Sequence, residues 1–166
     1  MKTIVILASV HEYQVPGNDR NRELEMRLTY LRSKFSADIV MEEWFEAQGG
    51  SFPQALGAKS GVDWANVGAP DEPQYRTYSC SGCIKHPSYD GTLKPYDPEH
   101  DLDAPWMDEY GPFENQENRE IRMAANVQAQ MANHKTGLLI LGITHVHSVF
   151  GKLRCLGFKV FAFSWL

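Results

Sequence analysis

Apolar residues along this chain alternate between two kinds of stretch, short continuous runs and longer segments with a helical repeat. Residues 3–9, Thr-Ile-Val-Ile-Leu-Ala-Ser, form an unbroken, β-branched run, the pattern of a strand covered on both faces. Leu24, Leu28, Leu31 and Phe35 then recur at spacings of three and four, predicting a helix over 19–35 with one face on the core. A second strand is expected at 37–41, ending in Glu42-Glu43-Trp44, followed by a short helix at 52–60 and a third strand at 62–67. Seven of the nine prolines fall between 70 and 112, so that stretch reads as an irregular insertion, excluded from regular helix and central strand.

The helical repeat returns at 114–134, where Ile121, Ala124, Ala125, Gln128 and Met131 mark the expected inner face and Gly137 the expected stop. Residues 138–141 form the next buried run. Thr144 is expected to cap a helix reaching about 156, which Gly157 ends before a last strand at 159–163. Strands alternating with helices predict a single α/β domain over 1–166, with a mainly parallel central sheet flanked by helices.

Composition bounds the function without choosing it. The chain is 43% hydrophobic and 22% charged, within the range of an ordinary globular domain. A net charge of −5, with Arg20, Arg22, Arg27, Arg32 and Lys34 interleaved with acids, argues against nucleic acid as a partner. The apolar run at 3–10 leads straight into His11-Glu12-Tyr13 and does not read as a leader, and residues 137–143 are too short to span a bilayer. Three cysteines do not make a disulfide framework, so a cytoplasmic protein with no membrane partner is expected. Cys155 is expected in the core.

Candidate chemistry gathers where such sheets place it. In an open parallel sheet, ligands bind beyond the carboxyl ends of the strands, where loops converge and helix amino termini point inward. His11, Glu12 and Gln14 follow the first strand, Glu42 and Glu43 the second, and His145 and His147 the strand at 138–141. Adjacent Glu42 and Glu43 point to opposite faces in extended chain. The positive end of a helix dipole would keep His145 neutral, suited to act as a base or a metal ligand. Gly142 leaves room for close approach. His11, Glu43 and His145 together match the ligands of a divalent metal such as zinc, manganese or iron, and equally a carboxylate orienting a histidine base. On the long helix, Arg119, Arg122, Met123 and Asn126 share a face that suits an anion or a developing oxyanion, with Glu120 counted among the solvated charges. Cys80, Cys83 and His86 have the spacing of a zinc knuckle or redox pair, against two ordinary loop cysteines.

These segments resemble the superfamily of erythromycin esterase, the ChaN heme-uptake proteins and the TraB/TIKI proteins. The likeness lies in Arg119-Glu-Ile-Arg122-Met123-Ala124-Ala125-Asn126, in Gly142-Ile-Thr-His145 before a helix and Gly157-Phe158-Lys159-Val160, and in His11-Glu12 and Glu42-Glu43 after the first two strands. The resemblance implies a hydrolase acting on an ester, lactone or peptide. His11, Glu42 or Glu43, and His145 would activate water directly or through a divalent metal, and Arg119 or Arg122 would stabilise negative charge. Glu12, Gln14, Asn126 and His147 would then contact a small-molecule or peptide substrate. The alternative is a noncatalytic protein that binds a small molecule, heme among the candidates, at the same edge.

Overall fold

A computed structural model describes residues 1–44, 49–68, 93–95 and 116–164. Strand β1 is Thr3–Ser9, followed by a 3-10 turn at His11–Gln14 and helix α1 at Asn21–Phe35. Then come β2 (Ile39–Glu42), α2 (Phe52–Ser60), β3 (Asp63–Asn66) and the two-residue β4 (Lys94–Pro95). Helix α3 (Gln116–Gln130) runs into a 3-10 turn at Met131–Asn133, and β5 (Thr136–Gly142), α4 (Ile143–Cys155) and β6 (Lys159–Ser164) complete the order.

The sheet order is β3-β2-β5-β1-β6-β4. Among the described residues, five strands are mutually parallel and only β4 runs antiparallel, on the edge beside β6. Pro95 sits on that edge, where its missing N–H costs no interior ladder bond. Strand alternation sends Val5, Leu7, Val40, Leu138 and Ile140 to a layer with Leu24, Leu28 and Leu31 of α1 and the partly buried Phe52 and Leu56 of α2. Ile4, Ile6, Met41, Leu139 and Leu141 face the other layer, with Met123 and Val127 of α3 and Val146, Val149 and Leu153 of α4. The result is an α/β/α sandwich with two helices on each face. Each fully buried leucine in α1 contributes about 1.5–3 kcal/mol relative to exposure.

Several expectations shift by a residue or two, with physical reasons. The inner stripe of α3 is Glu120, Met123, Ala124, Val127 and Met131, whereas Ile121, Ala125 and Gln128 are exposed. Gly137 does not stop the helix. It lies within β5, where a Cβ would run into the side-chain ends of Met41 and Met131. The long helix instead ends under Lys2, whose Nζ donates to Met131 O and, at 2.7 Å, to Ala132 O, a cation on terminal carbonyls. Gly142, not Thr144, takes the N-cap position of α4. Gly157, at φ 86°, does end that helix in the left-handed region. Cys155 is exposed rather than in the core. Most of the proline-rich stretch, with Cys80, Cys83 and His86, lies outside the described residues.

Candidate functional site

Three neighbouring strands, β2, β5 and β1, end at one edge of the sheet, with Ser9 level with Gly142 and Glu42 level with Ile140. Each delivers a side chain just past its last residues. His11 comes two residues beyond β1, Glu43 one beyond β2 and His145 three beyond β5. The three meet at the Glu43 carboxylate: Oε2 is 3.3 Å from His11 Nε2 and 3.7 Å from His145 Nε2. Arg119 of α3 donates from Nη2 to the other oxygen, Oε1.

Glu120, beside Arg119 on α3, completes the arrangement. Its Oε1 lies 3.1 Å from His145 Nδ1. A carboxylate only accepts, so with Glu120 ionised the Nδ1 proton is donated to it and Nε2 is left facing Glu43. Glu120 is only 4% exposed and is no solvated charge. Its signal was present in the sequence as a glutamate on the stripe that continues through Met123, Ala124, Val127 and Met131.

Glu43 is 1% exposed, and burial by itself raises its pKa. The opposing pull of His145, His11 and Arg119 is larger and holds the carboxyl well below the usual carboxylate range. It is therefore ionised at neutral pH. Glu42 shows the reverse balance. Burial raises its pKa to about 7, and hydrogen bonds from Ser51 and Trp64 and the charge of His11 offset this only in part.

The two glutamates point to opposite faces, as alternation requires. Glu42 faces the α1/α2 layer, where Oε1 accepts from Ser51 Oγ and, at 2.6 Å, from Trp64 Nε1. Ser51 is also the N-cap of α2, its Oγ accepting from Gln54 N at 3.0 Å. Gln14, fully buried, has its amide placed to donate to Glu42 Oε2 at 2.9 Å and to the Glu43 carbonyl at 3.2 Å.

Two supports of the site, Asn21 and Asn66, were not singled out in the sequence. Asn21, in the first turn of α1, donates to Tyr13 O at 2.8 Å and Val15 O at 3.0 Å and accepts from Gly17 N at 2.8 Å, tying the turn that bears His11 to the helix. Asn66 accepts from Trp44 N at 3.1 Å and donates to Trp44 O at 2.9 Å, so the chain after Glu43 is clamped from β3. Gly142 is a close-approach glycine: a Cβ there would lie 3.1 Å from His11 Nε2 and 3.6 Å from His145 Cδ2.

Arg122 and Glu12 are exposed. Asn126 donates to Val67 O at 3.1 Å and joins α3 to the tail of β3. His147 is half-buried and, two residues after His145, sits roughly 200° further round the helix.

Among the described residues, no three His, Cys, Asp or Glu side chains stand as a formed metal centre. The donor chemistry still suits one. Glu43 Oε2 is buried with no aligned hydrogen bond among the described residues, and its 3.3 and 3.7 Å separations from the two imidazole nitrogens bracket the ~3.4 Å between ligands of a tetrahedral ion with ~2.1 Å bonds.

No family model, no curated protein and no solved structure matches the chain. The resemblance drawn from the motifs therefore stands on those residues alone.

Proposed function

We propose that the protein is a hydrolase of esters, lactones or peptide-type amides, with its reacting centre at the carboxyl edge of β1, β2 and β5. The observation that carries this reading is the chain Glu120–His145–Glu43. One buried carboxylate fixes Nδ1 of an imidazole, and the imidazole's Nε2 opens on a second, ionised carboxylate that also binds a guanidinium. Such a histidine is oriented and set in one tautomer before any substrate arrives.

In this reading His145 Nε2 takes a proton from water as the water oxygen forms a bond to the substrate carbonyl carbon. The imidazolium that results is flanked by the carboxylates of Glu120 and Glu43, which favour it electrostatically. The proton then passes to the leaving oxygen or nitrogen as its bond to the carbonyl carbon breaks, so the histidine is regenerated. Arg119, bound to Glu43, helps to keep it charged and offers positive charge to a developing oxyanion. His11, held against Gly142, orders the opposite side of the carboxylate. A divalent zinc, manganese or iron ion would be held by His11, Glu43 and His145 and would supply a bound water of lowered pKa.

The experiment is a hydrolysis screen of chromogenic esters, lactones and peptides with purified protein, alongside elemental analysis. His145→Ala and Glu120→Gln should each lower kcat for the accepted substrate, by about 100-fold or more for His145→Ala. A His145→Ala protein that hydrolyses at the wild-type rate would remove the reading.

A further inference from the structure

Glu42 lies beside the site in sequence but across the sheet from it in space, and it is fully buried. Its contacts come from three separate elements. Ser51 belongs to the start of α2, Trp64 to β3 and Gln14 to the turn that also carries His11. A buried carboxylate that only gathers neutral donors has no partner of opposite charge in that set, an arrangement that a purely stabilising core would replace with apolar side chains.

Gln14 is the member of the set that also meets the Glu43 backbone. Its amide nitrogen is shared between Glu42 Oε2 and the Glu43 carbonyl oxygen. The Glu43 N–H is bound in turn to Ile140 O at 3.3 Å, and the following residue is clamped by Asn66. Both peptides flanking Glu43 are thus held, one of them through a side chain whose placement depends on Glu42.

We infer that Glu42 is a positioning residue. By drawing Ser51, Trp64 and Gln14 onto one carboxylate, it fixes the His11–Gln14 turn relative to the Glu43 peptide, and so sets the Glu43 carboxylate between His11 and His145. This deepens the hydrolase reading and rests on it for its purpose, though its test requires no turnover. Glu42 feels the charge of His11 but spends its hydrogen bonds on Ser51, Trp64 and Gln14, and is not a catalytic residue in this scheme.

An amide in place of the carboxylate can accept on one atom only, so Glu42→Gln cannot satisfy all three donors. Gln14→Met removes the link between the faces while keeping the side chain's shape, and Trp64→Phe removes one donor. The test is long-range 1H–15N spectroscopy of 15N-histidine-labelled full-length protein, with Glu43→Gln as the reference for imidazoles that have lost their carboxylate. The Nε2 signals of His11 and His145 should move in Glu42→Gln and in Gln14→Met toward their positions in Glu43→Gln, with an unchanged circular dichroism spectrum. The double variant should shift them no further than the larger single change, because both act through one link. Trp64→Phe should give a smaller shift in the same direction. Should Glu42→Gln fail to fold, Gln14→Met and Trp64→Phe carry the same comparison. Imidazole signals unmoved in Gln14→Met and Trp64→Phe, or shifts that add in the double variant, would overturn the inference. Failure of the hydrolase reading would appear separately, as absent turnover with these shifts intact.

Discussion

Glu42 and Glu43 are neighbours in the chain, both are buried, and their environments push them in opposite directions. Glu43 turns toward α3 and α4, where two imidazoles and a guanidinium converge on it and keep it ionised. Glu42 turns toward α2 and β3, where it meets a hydroxyl, an indole and an amide, and burial dominates. Burial sets no charge state by itself. What decides it is whether the groups across the gap carry charge or only dipoles. One strand end can thus supply an ionised group to one face of the sheet and, to the other, a carboxyl whose pKa is raised to about 7.

Removing Glu43 should break the contrast most sharply. Glu43→Ala leaves Arg119 and the two histidines facing one another without their shared anion, and breaking a buried pair in this way costs about 3–5 kcal/mol. Urea unfolding at pH 7 measures it.

The pH dependence of the two carboxyls sharpens the comparison, since the signs differ. The folded pKa of Glu42 is about 7 against an ordinary 4.5, so the folded state holds its proton more tightly than the unfolded chain. Its contribution is complete below pH 4.5, declines as pH rises toward 7 and is gone above. Over that window Glu42→Gln should gain on wild type by roughly 3 kcal/mol in unfolding free energy. Glu43 has the depressed pKa, so its contribution is present above pH 4.5 and is lost as the solution is acidified below it. Urea titrations from about pH 2 to 8 on both variants separate the two slopes.

A smaller effect is expected at Gly142. An alanine there places its Cβ against His11 Nε2, and relieving such a contact in a packed site costs about 1–3 kcal/mol. Thermal unfolding gives the loss, while the imidazole signal of His11 should move more than that of His145. The smallest effects belong to exposed positions. Arg122→Ala and Cys155→Ser, both exposed, should change stability by no more than about 0.5 kcal/mol, and Cys155 should react with a thiol reagent in the native protein.

The strands and their function as carriers of the site were legible because the signals are local. A continuous run such as Thr3–Ser9 and a Leu24, Leu28, Leu31 repeat each declare their own burial, and the carboxyl-edge rule then collects His11, Glu43 and His145. What was not legible depends on contacts between distant segments. The opposite orientation of Glu42 and Glu43 follows from alternation alone, but nothing near Glu42 announces that Ser51 and Trp64 will donate to it. Gly137 reads as a helix stop in sequence, and only the packing of Met41 and Met131 explains it as a strand residue. Glu120 was hidden by its own charge. A stripe counted from hydrophobic residues skips the one polar position on it, although that position orients His145.

The same limit applies to the arginines. Arg119 and Arg122 are equivalent by spacing, and a shift of one position in the inner face of α3 sends one to Glu43 and leaves the other exposed. Helical periodicity places residues on a stripe, and a partner across the gap is needed to say which edge of the stripe faces the site.

The most direct test of a reacting centre built on Glu43 is the hydrolysis rate of Glu43→Gln beside Glu42→Gln on the ester, lactone or peptide that the wild-type protein cleaves best. Glu43→Gln is expected to lose about 100-fold or more in kcat, while Glu42→Gln, acting through position alone, loses much less. Equal rates for Glu43→Gln and wild type, or no turnover of any ester, lactone or peptide by the wild-type protein, would contradict it.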